Sequence, residues 1–280
     1  MSRPFRGWEQ ALDPLVDDEI HQRVDALDLR LNAYGYDRWG ASPAAAKRLL
    51  VLVRWLYRHY FRVECHGLAN VPPGRVLLIS NHSAQLAYDG MLIAAAMVLE
   101  ANPPRFVRAM IERFFAQPAF VNVMMTRMGQ LIGIPENGRR LLVEDDAAVL
   151  VFPEGERGGG KLFRDRYKIM GFGQGFMRLA LATRTPIVPV GFVGGEEMCP
   201  SFSRMPPIAK LLGIPYAPLT PTLVPLPLPA KVHILFGEPL HFDGNGREDD
   251  DVLRAMVEQV ESAVAGLLAR GLETRKAVFF

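Results

Sequence analysis

Two short polar segments of this chain carry residue types suited to proton transfer and anion binding, and the first contains a histidine. Asn81, His82 and Asp89 follow an apolar run that ends at Ser80. A neutral imidazole can accept the proton of an attacking hydroxyl, and a carboxylate on its other nitrogen would stabilise the imidazolium that forms. Asp is also a favoured N-cap residue, so Asp89 could instead cap a helix beginning at Gly90. One carboxylate has enough lone pairs for both roles.

The second polar segment also follows an apolar run and is rich in charge. Glu154, Gly155 and Arg157 come directly after that run. Ligand sites of α/β sheets lie beyond the carboxyl ends of the strands, so the two segments can face one cleft. Further basic residues, opposed only by Asp165, form a local positive field suited to phosphate groups: Lys161, Arg164, Arg166 and Lys168. The alternative is a solvated basic loop.

The elements that must position these segments alternate short apolar runs with longer helical patterns, which is typical of an α/β protein. Strands are predicted at residues 76–80, 106–110, 148–152, 187–192 and 232–237. Helices are predicted at residues 91–99, 114–128, 138–144, 172–183 and 248–270. The predicted fold is a single α/β domain, residues 63–280, with a mixed, largely parallel central sheet flanked by helices and preceded by a helical extension, residues 1–62.

This extension is predicted to contain a pair of amphipathic helices. Apolar residues recur at near-helical spacing over residues 14–31, and a second helical pattern covers residues 43–61. Arg54, Arg58 and Arg62 fall on one stripe of the second helix, beside aromatic residues. Such a stripe suits anionic lipid headgroups, so a membrane-interface anchor is predicted here. The alternative is a helix packed on the core with its arginines solvated.

Composition excludes several classes of protein. Lys and Arg total 32 against 30 Asp and Glu, so no broad basic surface for nucleic acid is expected. Cys65 and Cys199 are too few for a disulfide framework and lack metal-ligand spacing with the histidines, so no metal is expected and a reducing, cytosolic setting is favoured. No signal peptide is predicted, because charge and proline interrupt the first residues. Residues 211–230 carry no charge, but their prolines preclude a spanning helix and indicate an extended surface segment.

The order of the polar segments resembles that of a known family, the glycerophosphate and lysophosphatidate acyltransferases. Asn81 and His82 with a following Asp resemble the first motif of the family. Residues 129–140 lie where the second motif belongs, residues 152–157 resemble the third, and residues 185–190 resemble the fourth. Agreement of four motifs in order, each after a predicted strand or helix, makes the resemblance specific.

The resemblance implies a role for each matching residue. His82 would be the catalytic base and Asp89 its partner. Substrate binding is assigned to Asn81, Asn137, Arg139, Arg140, Glu154, Gly155, Arg157, Lys161 and Lys168. The resemblance also implies a glycerolipid acceptor, acyl-CoA or acyl-carrier protein as co-substrate with no further cofactor, and a peripheral position on the cytoplasmic side of a phospholipid membrane.

Two features depart from the family pattern. Six residues rather than four separate His82 from Asp89, and in one straight helix the pair would lie about 10 Å apart, so the intervening segment must turn. The second motif lacks a clear arginine, for which Arg139 or Arg140 could substitute, and its residues 133–137 resemble a subgroup related to neutral-lipid acyltransferases. The predicted acceptor is lysophosphatidate or another lysophospholipid, with a neutral alcohol such as diacylglycerol as the alternative.

Two other functions use the same residues. A serine hydrolase would employ Ser80 or Ser83 as nucleophile, but the chain contains no G-x-S-x-G segment. A non-catalytic lipid-binding or CoA-binding protein that keeps the fold is compatible with the altered spacing of the first motif. Activity after replacement of His82 separates that function from catalysis.

Overall fold

The apolar runs form a central sheet in the computed structural model of the chain, which describes residues 12–83, 87–113, 119–205, 207, 209–210, 217–221 and 226–279. The strands are β1 Glu64–His66, β2 Val76–Ser80, β3 Val107–Ile111, β4 Leu131–Ile132, β5 Ala148–Val151, β6 Ile187–Val193, β7 Ser203–Arg204, β8 Pro218–Leu219 and β9 His233–Phe236. Seven form one sheet in the order β1-β9-β6-β2-β5-β3-β4, and β7 pairs with β8 separately. Within the seven-stranded sheet, β9 is antiparallel to β6 and every other pair is parallel. The predicted mixed, largely parallel sheet is confirmed.

Helices cover both faces of the sheet. They are α1 Asp18–Asp25, α2 Pro43–Trp55, α3 Tyr88–Leu99, α4 Ala119–Arg127, α5 Pro135–Val143, the short α6 Glu156–Gly159, α7 Gly175–Thr183, the short α8 Gly195–Met198 and α9 Asp250–Thr274. A π-helical turn, Leu56–Tyr60, continues α2. No helix in the part of the chain that the structure describes is both long and apolar enough to cross a membrane.

The predicted strands agree with the observed ones to within one residue at each end, whereas the first helix is shorter than predicted. A helix was expected over residues 14–31, but α1 ends at Asp25. Leu27 still packs into the core beyond that point and Leu31 is exposed, so the apolar spacing continues where the backbone is no longer helical. Some predicted elements extend beyond the described residues, namely at 1–11, 84–86, 114–118, 211–216 and 222–225.

The core lies on both faces of the sheet because successive side chains of a buried strand point to opposite sides. Val76 and Leu78 of β2 belong to one hydrophobic cluster, and Leu77 and Ile79 to the other. The first cluster also contains apolar side chains of α1, α2 and α3. The N-terminal helices therefore share a hydrophobic core with the sheet.

The arginine stripe of α2 and its π-helical continuation is neutralised within the chain. Arg54 pairs with Asp17 at 2.5 Å and with Glu19 at 2.7 Å, and Arg58 pairs with Glu19 at 2.5 Å. Arg62 donates to three backbone carbonyls, including that of Tyr60. Acidic residues at the start of α1 therefore occupy Arg54 and Arg58, and attachment to a membrane through this stripe stays a prediction.

Candidate active site

The two polar segments meet because β2 and β5 are parallel neighbours. Ile79 lies opposite Val151, so the loops that follow the two strands emerge side by side at the carboxyl edge of the sheet. The backbone N–H of His82 donates to Oε1 of Glu154 at 2.9 Å. The ring of Phe152 lies against the imidazole of His82, with 4.6 Å between ring centroids. Both segments therefore contribute to one site.

His82 and Asp89 form a buried pair. Nδ1 of His82 lies 2.7 Å from Oδ2 of Asp89, and the His82 side chain is 12% exposed whereas that of Asp89 is fully buried. Asp89 also accepts from the backbone N–H groups of Ser83 at 2.9 Å and Gly90 at 2.8 Å. The two side chains therefore meet across the six-residue spacing, as predicted, whereas residues 84–86 of the expected turn lie outside the described part of the chain. With Nδ1 held by the carboxylate, Nε2 is the nitrogen left for a substrate proton.

The pair reinforces the charges of its two members. Burial acts to lower the pKa of His82, but the charge of Asp89 and the hydrogen bond to it outweigh burial and raise that pKa above 6.5. Burial acts to raise the pKa of Asp89, and the charge and hydrogen bonds around it hold that pKa below 3.8. The carboxylate stays ionised beside an imidazole that readily gains a proton, as a general base requires.

Glu154 and Lys161 lie in a buried charge cluster. Oε2 of Glu154 accepts from the backbone N–H of Met170 at 2.7 Å and lies 3.5 Å from Nζ of Lys161. Nζ of Lys161 lies 3.6 Å from Glu196, and all three side chains are almost fully buried. Both residues were expected to bind substrate. In the structure Glu154 holds the backbone at His82, Lys161 bridges two carboxylates, and neither side chain reaches the surface.

Asn81 likewise has a structural position. Its Nδ2 donates to the carbonyl of Phe192 at 3.0 Å, and its Oδ1 accepts from the N–H of the same residue at 2.8 Å. The side chain is fully buried. Asn81 therefore joins the end of β2 to β6, and both polar atoms of the amide that was expected to bind substrate are bonded to Phe192.

Arg157 is the predicted basic residue that lies exposed on the segment next to His82. It stands on α6, and its guanidinium donates to the carbonyl of Gly171 at 3.0 Å. Within the described residues no carboxylate forms an ion pair with it. Gly155 begins this helix with a φ of +56°, a conformation that favours glycine. Arg157 can therefore receive an anionic group of a ligand.

The remaining predicted residues lie elsewhere or are paired. Lys168 is exposed and pairs with Asp165 at 2.9 Å. Asn137 donates to the carbonyl of Ile132 at 3.1 Å. Arg139 and Arg140 were expected to replace a missing phosphate ligand, but they form the ion pairs described next.

Arg139 and Arg140 lie toward the amino end of β5, whereas His82 lies at the carboxyl ends of the strands. Both pair with Glu144, at 4.0 Å and 3.5 Å, and Arg140 lies over the ring of Trp39. Glu144 precedes β5, whereas the site follows that strand. The geometry therefore gives neither arginine a place beside the imidazole.

A second set of buried polar residues, not singled out from the sequence, adjoins the charge cluster. The hydroxyl of Tyr167 donates to Glu197, which also pairs with Arg275 at 2.8 Å. Burial raises the pKa of Glu196 to about 7, opposed by Lys161. Glu196 and Glu197 belong to a Gly-Gly-Glu-Glu segment, residues 194–197, but nothing in the sequence links that segment to the distant Arg275.

Neither serine of the first segment is arranged as a nucleophile. The Ser80 hydroxyl donates to the carbonyl of Asn81 at 3.2 Å and is fully buried. The Ser83 hydroxyl is buried without a hydrogen-bond partner among the described residues. Since neither hydroxyl is bonded to the imidazole of His82, the hydrolase alternative lacks its required pair.

Comparison with known proteins agrees with the family resemblance that the sequence motifs indicate. The family model described as Acyltransferase matches residues 62–193. The Mycobacterium leprae (strain TN) protein called Uncharacterized protein ML2427 is 33% identical over 291 residues, covering 98% of this chain and 78% of that protein. The human 1-acyl-sn-glycerol-3-phosphate acyltransferase alpha is 28% identical over 151 residues, about half of each chain.

A solved structure shares the fold. It is the 1-acyl-sn-glycerophosphate (LPA) acyltransferase PlsC from Thermotoga maritima, with a TM-score of 0.50 and 19% identity, covering 84% of this chain and 82% of that one. At this identity the likeness shows the fold alone, and the family model and the mycobacterial relative show the family. The chain belongs to the acyltransferase family.

Proposed function

We propose that this protein transfers a fatty acyl group from an acyl thioester, carried by CoA or acyl-carrier protein, to a hydroxyl of a glycerolipid such as lysophosphatidate. The supporting observation is the His82–Asp89 pair, whose free Nε2 lies beside the segment that carries the exposed Arg157. Guanidinium groups bind phosphate strongly, so Arg157 suits a phosphorylated acceptor. A neutral acceptor such as diacylglycerol would leave this cation without a partner.

The reaction follows from the orientation of the imidazole. Nε2 of His82 takes the proton of the acceptor hydroxyl as its oxygen attacks the thioester carbonyl, and Asp89 stabilises the imidazolium. The tetrahedral intermediate then collapses, the C–S bond breaks, and the imidazolium returns the proton to the leaving sulfur. The backbone N–H of Gly90 does not serve to stabilise the oxyanion of this intermediate, because it donates to Asp89. Another donor must serve that purpose.

Peripheral attachment to the cytoplasmic side of a phospholipid membrane is the second part of the proposal, since glycerolipids reside there. Apolar side chains at positions 120, 123 and 124 of α4 share one exposed stripe: Phe120, Val123 and Met124. Helix α4 follows β3, whose carboxyl end lies at the same edge of the sheet as His82. The α4 stripe therefore replaces the paired arginines of α2 as the proposed lipid contact.

The decisive experiment incubates the purified protein with labelled palmitoyl-CoA and a panel of acceptors: lysophosphatidate, lysophosphatidylcholine, glycerol 3-phosphate and diacylglycerol. We expect an acylated product with lysophosphatidate, and a loss of roughly 10² to 10⁴ in turnover for His82→Ala. The Ser83→Ala variant is the matched control and should retain activity. Equal turnover of the wild type and His82→Ala would refute the assignment.

A further inference from the structure

Three residues of types that ligate metal ions form a cluster at the edge of the sheet. Glu64 and His66 occupy alternate positions of β1, so they project from the same face of that strand. His233, the first residue of β9, lies directly opposite Glu64 in the parallel pair. The register therefore brings together side chains that lie about 170 positions apart in the chain.

The spacing of the three ligand atoms approaches that of a metal site. Oε2 of Glu64 lies 3.6 Å from Nδ1 of His233 and 3.9 Å from Nε2 of His66. One ligand atom from each residue lies within 4.8 Å of the other two. Zinc holds nitrogen and oxygen ligands at about 2.0–2.2 Å in a tetrahedron, which separates neighbouring ligand atoms by roughly 3.4 Å. Small side-chain rotations would close the remaining gap.

His233 provides a second, independent observation. Its side chain is 1% exposed, yet neither ring nitrogen has a hydrogen-bond partner among the described residues. An unsatisfied buried polar group costs free energy, so such groups usually have a partner. Lys231 contacts Oε1 of Glu64 at 2.5 Å, which leaves Oε2 directed toward the imidazoles. A cation between these atoms would satisfy Nδ1 of His233.

We propose that Glu64, His66 and His233 bind a divalent transition-metal ion, with Zn²⁺ the best match to two imidazoles and one carboxylate. The ion would join the edge strand β1 to β9 and leave a fourth position for water. Strand β6 lies between these strands and β2, whose end carries His82. The site is therefore separate from the His82–Asp89 pair, and its proposed role is structural.

The test is titration of the untagged, chelator-treated protein with ZnCl₂ by isothermal calorimetry, and with CoCl₂ by visible absorption. We expect one Zn²⁺ per chain, d–d bands typical of four-coordinate Co²⁺, and a rise in the midpoint of thermal unfolding. His66→Ala, at an exposed position, and Glu64→Gln should each weaken Zn²⁺ binding at least roughly tenfold. His241→Ala, which removes an exposed histidine outside the cluster, should bind as the wild type does.

Each readout can overturn the proposal. Absence of saturable binding by the wild type would do so, as would unchanged affinity in His66→Ala and Glu64→Gln. Far-ultraviolet circular dichroism is the control that each variant is folded. Acyl transfer does not enter the measurement, so failure here would leave the proposed function untouched.

Discussion

The backbone N–H of His82 donates to the carboxylate of Glu154, a residue 72 positions further along the chain. The other carboxylate oxygen accepts from Met170, so Glu154 ties together three loops around the imidazole. Gly158 packs closely against both residues of this contact. A Cβ added at Gly158 would lie 2.6 Å from Glu154 and 3.0 Å from His82, so a larger residue there would displace them. Glu154 of the third motif thus positions His82 of the first motif.

Replacement of Glu154 by Gln should lower kcat while leaving the KM for the acceptor nearly unchanged. The amide has one acceptor oxygen where two backbone donors need one each, so the backbone at His82 must shift. A displacement on the order of 1 Å from reactive geometry can cost about 100-fold in rate. Steady-state kinetics with lysophosphatidate measure both constants. Glu156→Gln, a matched change at an exposed neighbour, is the control, and a large rise in KM alone would indicate acceptor binding instead.

The rate should depend on the protonation of His82. Because Asp89 raises the pKa of His82 above 6.5, and only the neutral imidazole accepts a proton, kcat/KM should rise with pH through a value above 6.5. Asp89→Asn removes the negative charge, so the ascending limb should move to lower pH while the maximal rate falls. The pH profiles of the two proteins test this. A limb that stays in place after the substitution would contradict the role given to Asp89.

Stability should depend on the protonation of Glu196. Burial raises the pKa of Glu196 from 4.5 to about 7. Between these two pH values the native protein holds a proton at Glu196 that the unfolded chain has lost. The contribution of this group to stability is present below pH 4.5 and is lost as pH rises through about 7. Glu196→Gln should therefore become more stable relative to the wild type between pH 5 and pH 8. Urea unfolding across this range measures the difference, and a constant difference would disprove it.

Removal of the exposed stripe on α4 should weaken binding to vesicles. The double variant Phe120→Ser/Val123→Ser withdraws two apolar side chains, a change expected to reduce partitioning roughly tenfold or more. Co-sedimentation with vesicles of phosphatidylcholine and phosphatidylglycerol provides the measurement. The control is Val252→Ser, at an exposed apolar position of α9. Equal sedimentation of the double variant and the control would remove α4 from the proposal.

The sequence allowed the main strands and the His82–Asp89 pair to be predicted because both depend on local signals. Buried parallel strands are continuous apolar runs, and strand ends in α/β sheets host polar sites. Despite the six-residue spacing, the imidazole of His82 and the carboxylate of Asp89 are in contact.

The partners of the charged residues could not be predicted in the same way. Lys161 was expected to bind substrate, since its partners, Glu154 and Glu196, come together only when β5 and β6 are placed in the sheet. Arg54 and Arg58 were expected to face lipid, since their carboxylate partners, Asp17 and Glu19, lie at the start of the preceding helix α1. Charge pairing depends on tertiary contacts, which spacing along the chain does not reveal.

Helices α1 and α2 share a hydrophobic core with the sheet. This limits how the segment that carries His82 and Arg157 can be moved into another protein. Ile20, Val24 and Val53 are buried against the same cluster as β2 and α3, so a fragment beginning at Arg62 would expose that cluster to water. Residues 62–193, which match the family model, leave out helices that share this core, so we expect that segment alone to be unstable. Chimeras that exchange residues 62–193 between relatives should therefore also include α1 and α2.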